Sequence, residues 1–202
     1  MGEIFTGITD TITSYDMSLL KAIQLHVRSD FLDWLMPLIT KLGDGGILWI
    51  IIAVILLIPK KTRRTGAGMA VAMILGLIIG NGLIKNLVMR PRPFQLLGRA
   101  IHPNDLLIAA PTDYSFPSGH TLSSFAAATA IYKDHTLLGF VAYLVAASIA
   151  FSRMYLYVHY PSDILGGMIL GFLLGLLGTK IVKTVADKFA SKKLDDQAPA
   201  AE

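Results

Sequence analysis

Apolar residues in this chain come in long unbroken runs with short polar breaks between them, rather than in the one-sided stripes of soluble helices. The runs are Gly46–Pro59, Gly66–Val88, Ser118–Lys133, Thr136–Ser152 and Pro161–Val185. A helix needs about 20 mostly apolar residues to cross the hydrocarbon of a bilayer. The second and fifth runs meet that length alone, and the third and fourth meet it with their ends in the interface. The first is short, and extends back through Gly43-Asp44-Gly45-Gly46 as a bent or broken helix. The expected fold is therefore all-α: an integral membrane helical bundle of five to six transmembrane helices.

Before the first run the pattern changes. Met17, Leu20, Ile23 and Val27 recur at helical spacing, as do Phe31, Leu35, Leu38 and Leu42, with Lys21, Arg28, Asp30 and Asp33 between them. That mixture predicts amphipathic N-terminal helices in the interface, at a depth that suits Trp34. Met1–Asp16 has neither the basic start nor the apolar core of a secretory signal peptide. The expected organisation is residues 1–45 as an interfacial segment, 46–188 as the membrane-embedded unit, and 189–202 as a disordered cytoplasmic tail.

Loop charge sets the expected orientation. Lys60, Lys61, Arg63 and Arg64 crowd one short loop without an acid, and Lys180, Lys183, Lys188, Lys192 and Lys193 follow the last run. With the first loop cytoplasmic, span parity puts 89–117 and 153–160 outside and returns the lysine-rich end to the inside.

Composition narrows the classes. The chain has 202 residues, enough for one domain, and 53% are hydrophobic, which fits membrane residence. With no cysteine, disulfides and thiolate metal sites are excluded. The net charge of +4 lies at the ends of apolar runs, so lipid headgroups rather than nucleic acid are the expected partner.

Three short stretches carry the candidate chemistry. Lys85 precedes Arg92-Pro93 by seven positions, across a helix stop made by Pro91 and Pro93. The break must fold Arg92 back toward Lys85 if a point charge and a planar fork are to hold one phosphate. In Pro117-Ser118-Gly119-His120, Ser118 reads as an N-cap, Gly119 allows close backbone approach, and the helix start offers free amides to an anion. His120 on that first turn is placed to give a proton to a leaving oxygen. In the third stretch Arg153 ends a run, and His159 and Asp163 flank the start of the next. Asp163 can hold one imidazole nitrogen of His159 and leave the other free to attack. Singly, each residue has an ordinary explanation as a snorkelling cation, a helix cap or a loop histidine. All three stretches fall at the external ends of helices, and no spare cluster of ligands for a metal accompanies them. Arg90 is read as a fourth cation for a second phosphate or for lipid headgroups, His102 and Asp113 as solvated loop residues, and Tyr155, Tyr157 and Tyr160 as interfacial anchors.

This constellation resembles the type 2 phosphatidic acid phosphatase superfamily, whose three signatures it matches from Lys85 to Asp163. The resemblance implies His159 as the nucleophile of a phosphohistidine intermediate, Asp163 as its orienting carboxylate and His120 as the acid and later base. It implies Lys85, Arg92 and Arg153 as ligands of the phosphoryl oxygens, with Ser118 and Gly119 completing the cradle. No cofactor and no metal are implied. Small bacterial members with a Leu-Asp-x-x-Met segment (here Leu32-Asp33-Trp34-Leu35-Met36) resemble undecaprenyl-diphosphate phosphatases. The implied activity is hydrolysis of a terminal phosphate from a membrane lipid phosphate or diphosphate at the extracytoplasmic side of the plasma membrane. Phosphatidylglycerophosphate and phosphatidate are alternative substrates, a lipid phosphotransferase is an alternative reaction, and a lipid-phosphate transporter is a third reading.

Overall fold

The computed structural model describes residues 2–96 and 106–195, and among these every regular element is a helix. In chain order they are α1 (Gly2–His26), α2 (Asp30–Lys41), α3 (Ile47–Leu57), α4 (Arg63–Gly76), α5 (Lys85–Val88), α6 (Pro93–Leu96), α7 (Gly119–Asp134), α8 (Thr136–Tyr155) and α9 (Pro161–Asp195). A π-helical stretch, Leu77–Ile84, joins α4 to α5 without interrupting the run.

The helix α7 is the axis of the bundle. Leu122 and every residue from Ser124 to Ile131 are buried, because α4, α8 and α9 enclose it. A helix hydrophobic on all sides belongs in such a place. Small residues let its neighbours approach: a Cβ added at Gly171 of α9 would lie 2.5 Å from the Leu122 carbonyl oxygen, and one at Gly139 of α8 would lie 2.1 Å from the Tyr132 Cα. The outer faces of α3, α8 and α9 expose Ile51, Phe140, Leu144, Ile169 and Phe172 as an apolar belt.

Among the described residues, three helical stretches are long and apolar enough to cross a membrane: Arg63–Leu96, Thr136–Tyr155 and Pro161–Ser191. A fourth crossing arises if α2 and α3 form one span, bent by 42°. Gly45 and Gly46 make that bend with φ of 57° and 68°, backbone that a side chain resists. The break expected at Gly43–Gly46 is thus present. However, α2, expected to lie in the interface, is the first half of this candidate broken span.

Two ends of the bundle are distinct. At one, Arg64 meets Asp187 at 3.9 Å and Thr65 donates to Asp134 at 2.6 Å, gathering the Lys60–Arg64 loop, the α7–α8 turn and the later part of α9. The three motif stretches lie at the other. The tail expected to be disordered from residue 189 begins as helix, since α9 runs through that point to Asp195. Its remainder, 196–202, and His102 lie outside the described residues.

Candidate active site

Four helix ends meet at the motif end of the bundle. After α5 the chain leaves the helix through Met89, at φ 48°, and passes without regular structure through Pro91 to Pro93, the first residue of α6. This fold-back brings Arg92 to Lys85, as their separation required. The bridge between them is Asp113: Lys85 Nζ lies 2.5 Å from Asp113 Oδ2, and Arg92 Nη2 lies 2.5 Å from Asp113 Oδ1. Burial alone would raise the Asp113 pKa, but its pairing with Lys85 and Arg92 overcomes this and holds it down at about 2. Asp113, read from sequence as a solvated loop residue, is therefore part of the cation cluster. A lone acid in a loop carries no sequence signal for this; only the fold-back supplies its partners.

Arg92 is nearly inaccessible and fully used. Its Nε donates to the Asp113 carbonyl at 2.8 Å, and Nη1 donates to the Val158 carbonyl at 2.7 Å while lying 3.1 Å from His159 Nε2. Arg153 is also buried. Its Nη1 donates to Thr40 Oγ1 at 2.6 Å, its buried Nε has no protein acceptor among the described residues, and the residue lines the cavity.

His159 sits in the short connection between α8 and α9 with almost no exposure. Its Nδ1 faces Asp163 Oδ2 at 3.4 Å and Ser115 Oγ at 3.5 Å. The Asp163 contact is long, because the same Oδ2 accepts from the Tyr160 amide at 2.9 Å and from the Ser115 hydroxyl. Burial lowers the His159 pKa to about 3 against the pull of Asp163, so the imidazole is neutral at ordinary pH. With Nδ1–H directed to the carboxylate, the lone pair is on Nε2, the nitrogen beside Arg92.

Ser118 caps α7, accepting from the Thr121 amide at 3.4 Å and the Thr121 hydroxyl at 3.0 Å. Its hydroxyl is committed to that cap, while Gly119 and His120 reach the cavity wall. His120 Nε2 lies 2.8 Å from Asp44 Oδ1, on the bend between α2 and α3.

These groups line the polar end of one cavity of about 950 Å³. Lys85, Arg92, Arg153, His120 and His159 share its wall, and its other end is an apolar trough between α3 and α4 lined by Ile50, Val54, Leu57, Ala70, Met73 and Ile74. The structure thus brings all three motifs together, with Ser118 behind the wall and Asp163 behind His159. No cluster of three or more potential metal ligands occurs among the described residues.

Several neighbours were missed by the sequence reading. Asp16 on α1 accepts from Arg90, Ser162 and the Ser162 amide. Arg90 itself, expected to meet a second phosphate or lipid headgroups, is taken up by Asp163 at 2.6 Å and Asp16 at 2.7 Å. Tyr155, Tyr157 and Tyr160, expected as interfacial anchors, are buried against Leu20, Met36 and Phe94, because α1 and α2 cover them. Contacts cross the expected boundary at 45–46, since Asp16 meets Ser162, Thr40 meets Arg153 and Asp44 meets His120. An acid inside an otherwise apolar helix face was the available signal for Asp16, and the Gly-Asp-Gly-Gly bend for Asp44.

Comparison with known proteins gives a consistent set. The sequence profile of the PAP2 superfamily matches residues 65–187. An undecaprenyl-diphosphatase of Sulfolobus acidocaldarius is 32% identical over 154 residues, covering 76% of this chain and 72% of that protein. The undecaprenyl-diphosphatase BcrC of Bacillus subtilis is 30% identical over 158 residues, with 78% and 79% covered. The crystal structure of a transmembrane PAP2-type phosphatidylglycerolphosphate phosphatase from Bacillus subtilis superposes with a TM-score of 0.65 at 28% identity, covering 88% of this chain and 87% of that one.

Proposed function

The chain belongs to the PAP2 superfamily, and from that premise we propose that it is a membrane lipid phosphatase working through a phosphohistidine at His159. The observation that carries this reading is the shape of its cavity: a neutral imidazole and three cations at one end, an apolar trough at the other. A charged lipid headgroup and its tail need those two environments side by side.

In the proposed reaction, His159 Nε2 attacks the terminal phosphorus and the bond to the leaving oxygen breaks. His120, oriented by Asp44, gives that oxygen its proton. Lys85, Arg92 and Arg153 take up the charge on the phosphoryl oxygens, with the start of α7 at Gly119 completing the cradle. Asp163 stabilises the ring as it becomes positive. Water then attacks the phosphohistidine, His120 accepts its proton, and orthophosphate leaves. Phosphoryl transfer depends chiefly on positioning and charge stabilisation, and the three cations supply the charge, so the reaction is proposed to need no metal.

Undecaprenyl diphosphate is the proposed substrate, supported by two relatives named for it. Phosphatidylglycerophosphate is the second reading, favoured by the structural neighbour. In the membrane, α7 is proposed as a further crossing beside the bent pair, α4, α8 and α9, giving five spans, with the site at the extracytoplasmic face of the plasma membrane. The lysine-rich opposite end supports that orientation.

The test is phosphate release from each lipid by purified protein in detergent with EDTA present. Wild type should release orthophosphate, and His159→Ala should lose more than about a thousandfold of that rate, the scale set by removal of a nucleophile. Wild-type release by the variant would sink the assignment.

A further inference from the structure

Helix α1 lies outside the stretch that the family profile matches, residues 65–187, yet it carries a buried carboxylate into the support of His159. Asp16 has three donors. The Ser162 amide reaches Oδ1 at 2.9 Å, the Ser162 hydroxyl reaches Oδ2 at 2.5 Å, and Arg90 Nη2 reaches Oδ2 at 2.7 Å. Arg90 stands between two acids, with Nη1 donating to Asp163 Oδ1 at 2.6 Å and to Ser162 Oγ at 2.7 Å. Its guanidinium carbon lies 3.9 Å from the centre of the Tyr160 ring, which fixes the plane of the fork.

We propose that Asp16 is a positioning residue for the reaction: through Arg90 and Ser162 it fixes the Asp163 carboxylate that holds His159. This rests on the phosphohistidine reading above.

Two physical arguments support it. The first is geometric. Asp163 is fully buried, and its contact to His159 Nδ1 is already long at 3.4 Å. Without Asp16, the Arg90 fork loses the acceptor on Nη2 and its most favourable alternative is a two-pronged pairing with Asp163. That pairing draws the carboxylate away from the imidazole. The second is electrostatic. Arg90 with Asp16 and Asp163 carries one net negative charge, whereas Arg90 with Asp163 alone is neutral. Attack through Nε2 makes the His159 ring positive, so the residual negative charge behind Nδ1 favours the phosphorylated state. In a site this dry, such charge acts with little screening.

The measurement is single-turnover phosphoenzyme formation on full-length protein in detergent, with farnesyl diphosphate carrying a labelled terminal phosphate and an alkaline quench. The plateau counts competent sites, and the rate constant reports positioning. Asp16→Asn keeps the side-chain shape and removes the charge. It should slow phosphoenzyme appearance about tenfold to a hundredfold, the range for outer-shell partners of reacting groups, with an undiminished plateau and a KM within about twofold of wild type. Asp16→Glu should recover part of the rate. A wild-type rate constant in Asp16→Asn, whether the plateau is full or reduced, overturns the proposal, because a merely structural acid lowers only the plateau. Should Asp16→Asn fail to fold, Ser162→Ala removes the hydroxyl link: a slower rate constant supports the proposal and an unchanged one overturns it. If His159→Ala still forms phosphoenzyme, the reading of the reaction itself falls. If His159→Ala forms none and Asp16→Asn keeps the wild-type rate constant, only the role of Asp16 falls.

Discussion

Asp113 shows at the residue scale how a carboxylate can organise the cations of the proposed phosphate site and, on that proposal, compete for them. It ties Lys85 to Arg92 and pins the loop that carries Ser115, and its oxygens occupy both cations that are proposed to take phosphoryl oxygens. Replacing it with asparagine should strengthen inhibition by orthophosphate about twofold to fivefold, the worth of a half-exposed ion pair; competitive inhibition constants measure this directly. His159 gives a second prediction. Its pKa falls from an ordinary 6.5 to about 3, so the ring is neutral throughout the range between and above them. Phosphoenzyme formation should therefore keep its full plateau from pH 5 to 8. A plateau that halves near 6.5 would show an unshifted imidazole. The same shift works against the fold in acid, since the unfolded chain binds a proton that the folded one refuses. The stability tied to His159 is full above pH 6.5 and declines as pH falls toward 3.

At the scale of elements, close helix approach fixes the site. Pairing α7 with α9 sets the Ser118 amide 3.2 Å from the Asp163 carbonyl, and Gly171 allows that pairing by letting α9 touch the Leu122 carbonyl. Substituting Gly171 with alanine should cost about 1–3 kcal/mol from overpacking and lower the melting midpoint in detergent by roughly 3–10 °C. Gly139→Ala should do the same through α7 and α8, but with less effect on activity per folded molecule. The π-helical stretch before Lys85 widens the turn there and faces Asn81 toward Gly119. Such widened turns recur at functional sites because they redirect a side chain that a regular helix would aim elsewhere.

Across the whole molecule, the cavity joins a charged end to an apolar trough, and the two parts should be separable by mutation. Ala70 lines the trough away from the cations, so Ala70→Trp removes space for tail carbons without touching the phosphate ligands. Displacing two methylenes, at about 0.8 kcal/mol each, predicts a rise of about tenfold in KM for a long-chain lipid. Hydrolysis of a short-chain analogue should stay within about twofold of wild type. Equal losses for both substrates would show that the trough does not hold the tail.

Much of this was legible without coordinates, for a definite reason. Long apolar runs have only one way to satisfy their backbone in lipid, so the all-helical fold followed from the pattern alone. Lys85, Arg92, His120, Arg153, His159 and Asp163 stood at helix ends marked by proline and glycine, and those local signals survive in a linear reading. What the sequence could not determine was the company these residues keep. Asp16, Thr40, Asp44 and Asp113 meet the motifs only through packing; Asp16 on an apolar helix face and Asp44 in a glycine bend carry a faint local signal, and Thr40 and Asp113 carry none. Arg90 looked free because its two acids lie 74 and 73 positions away. The tyrosines looked interfacial until α1 and α2 covered them. Local backbone chemistry writes the helices and their ends; only packing decides which charges share one dry cavity.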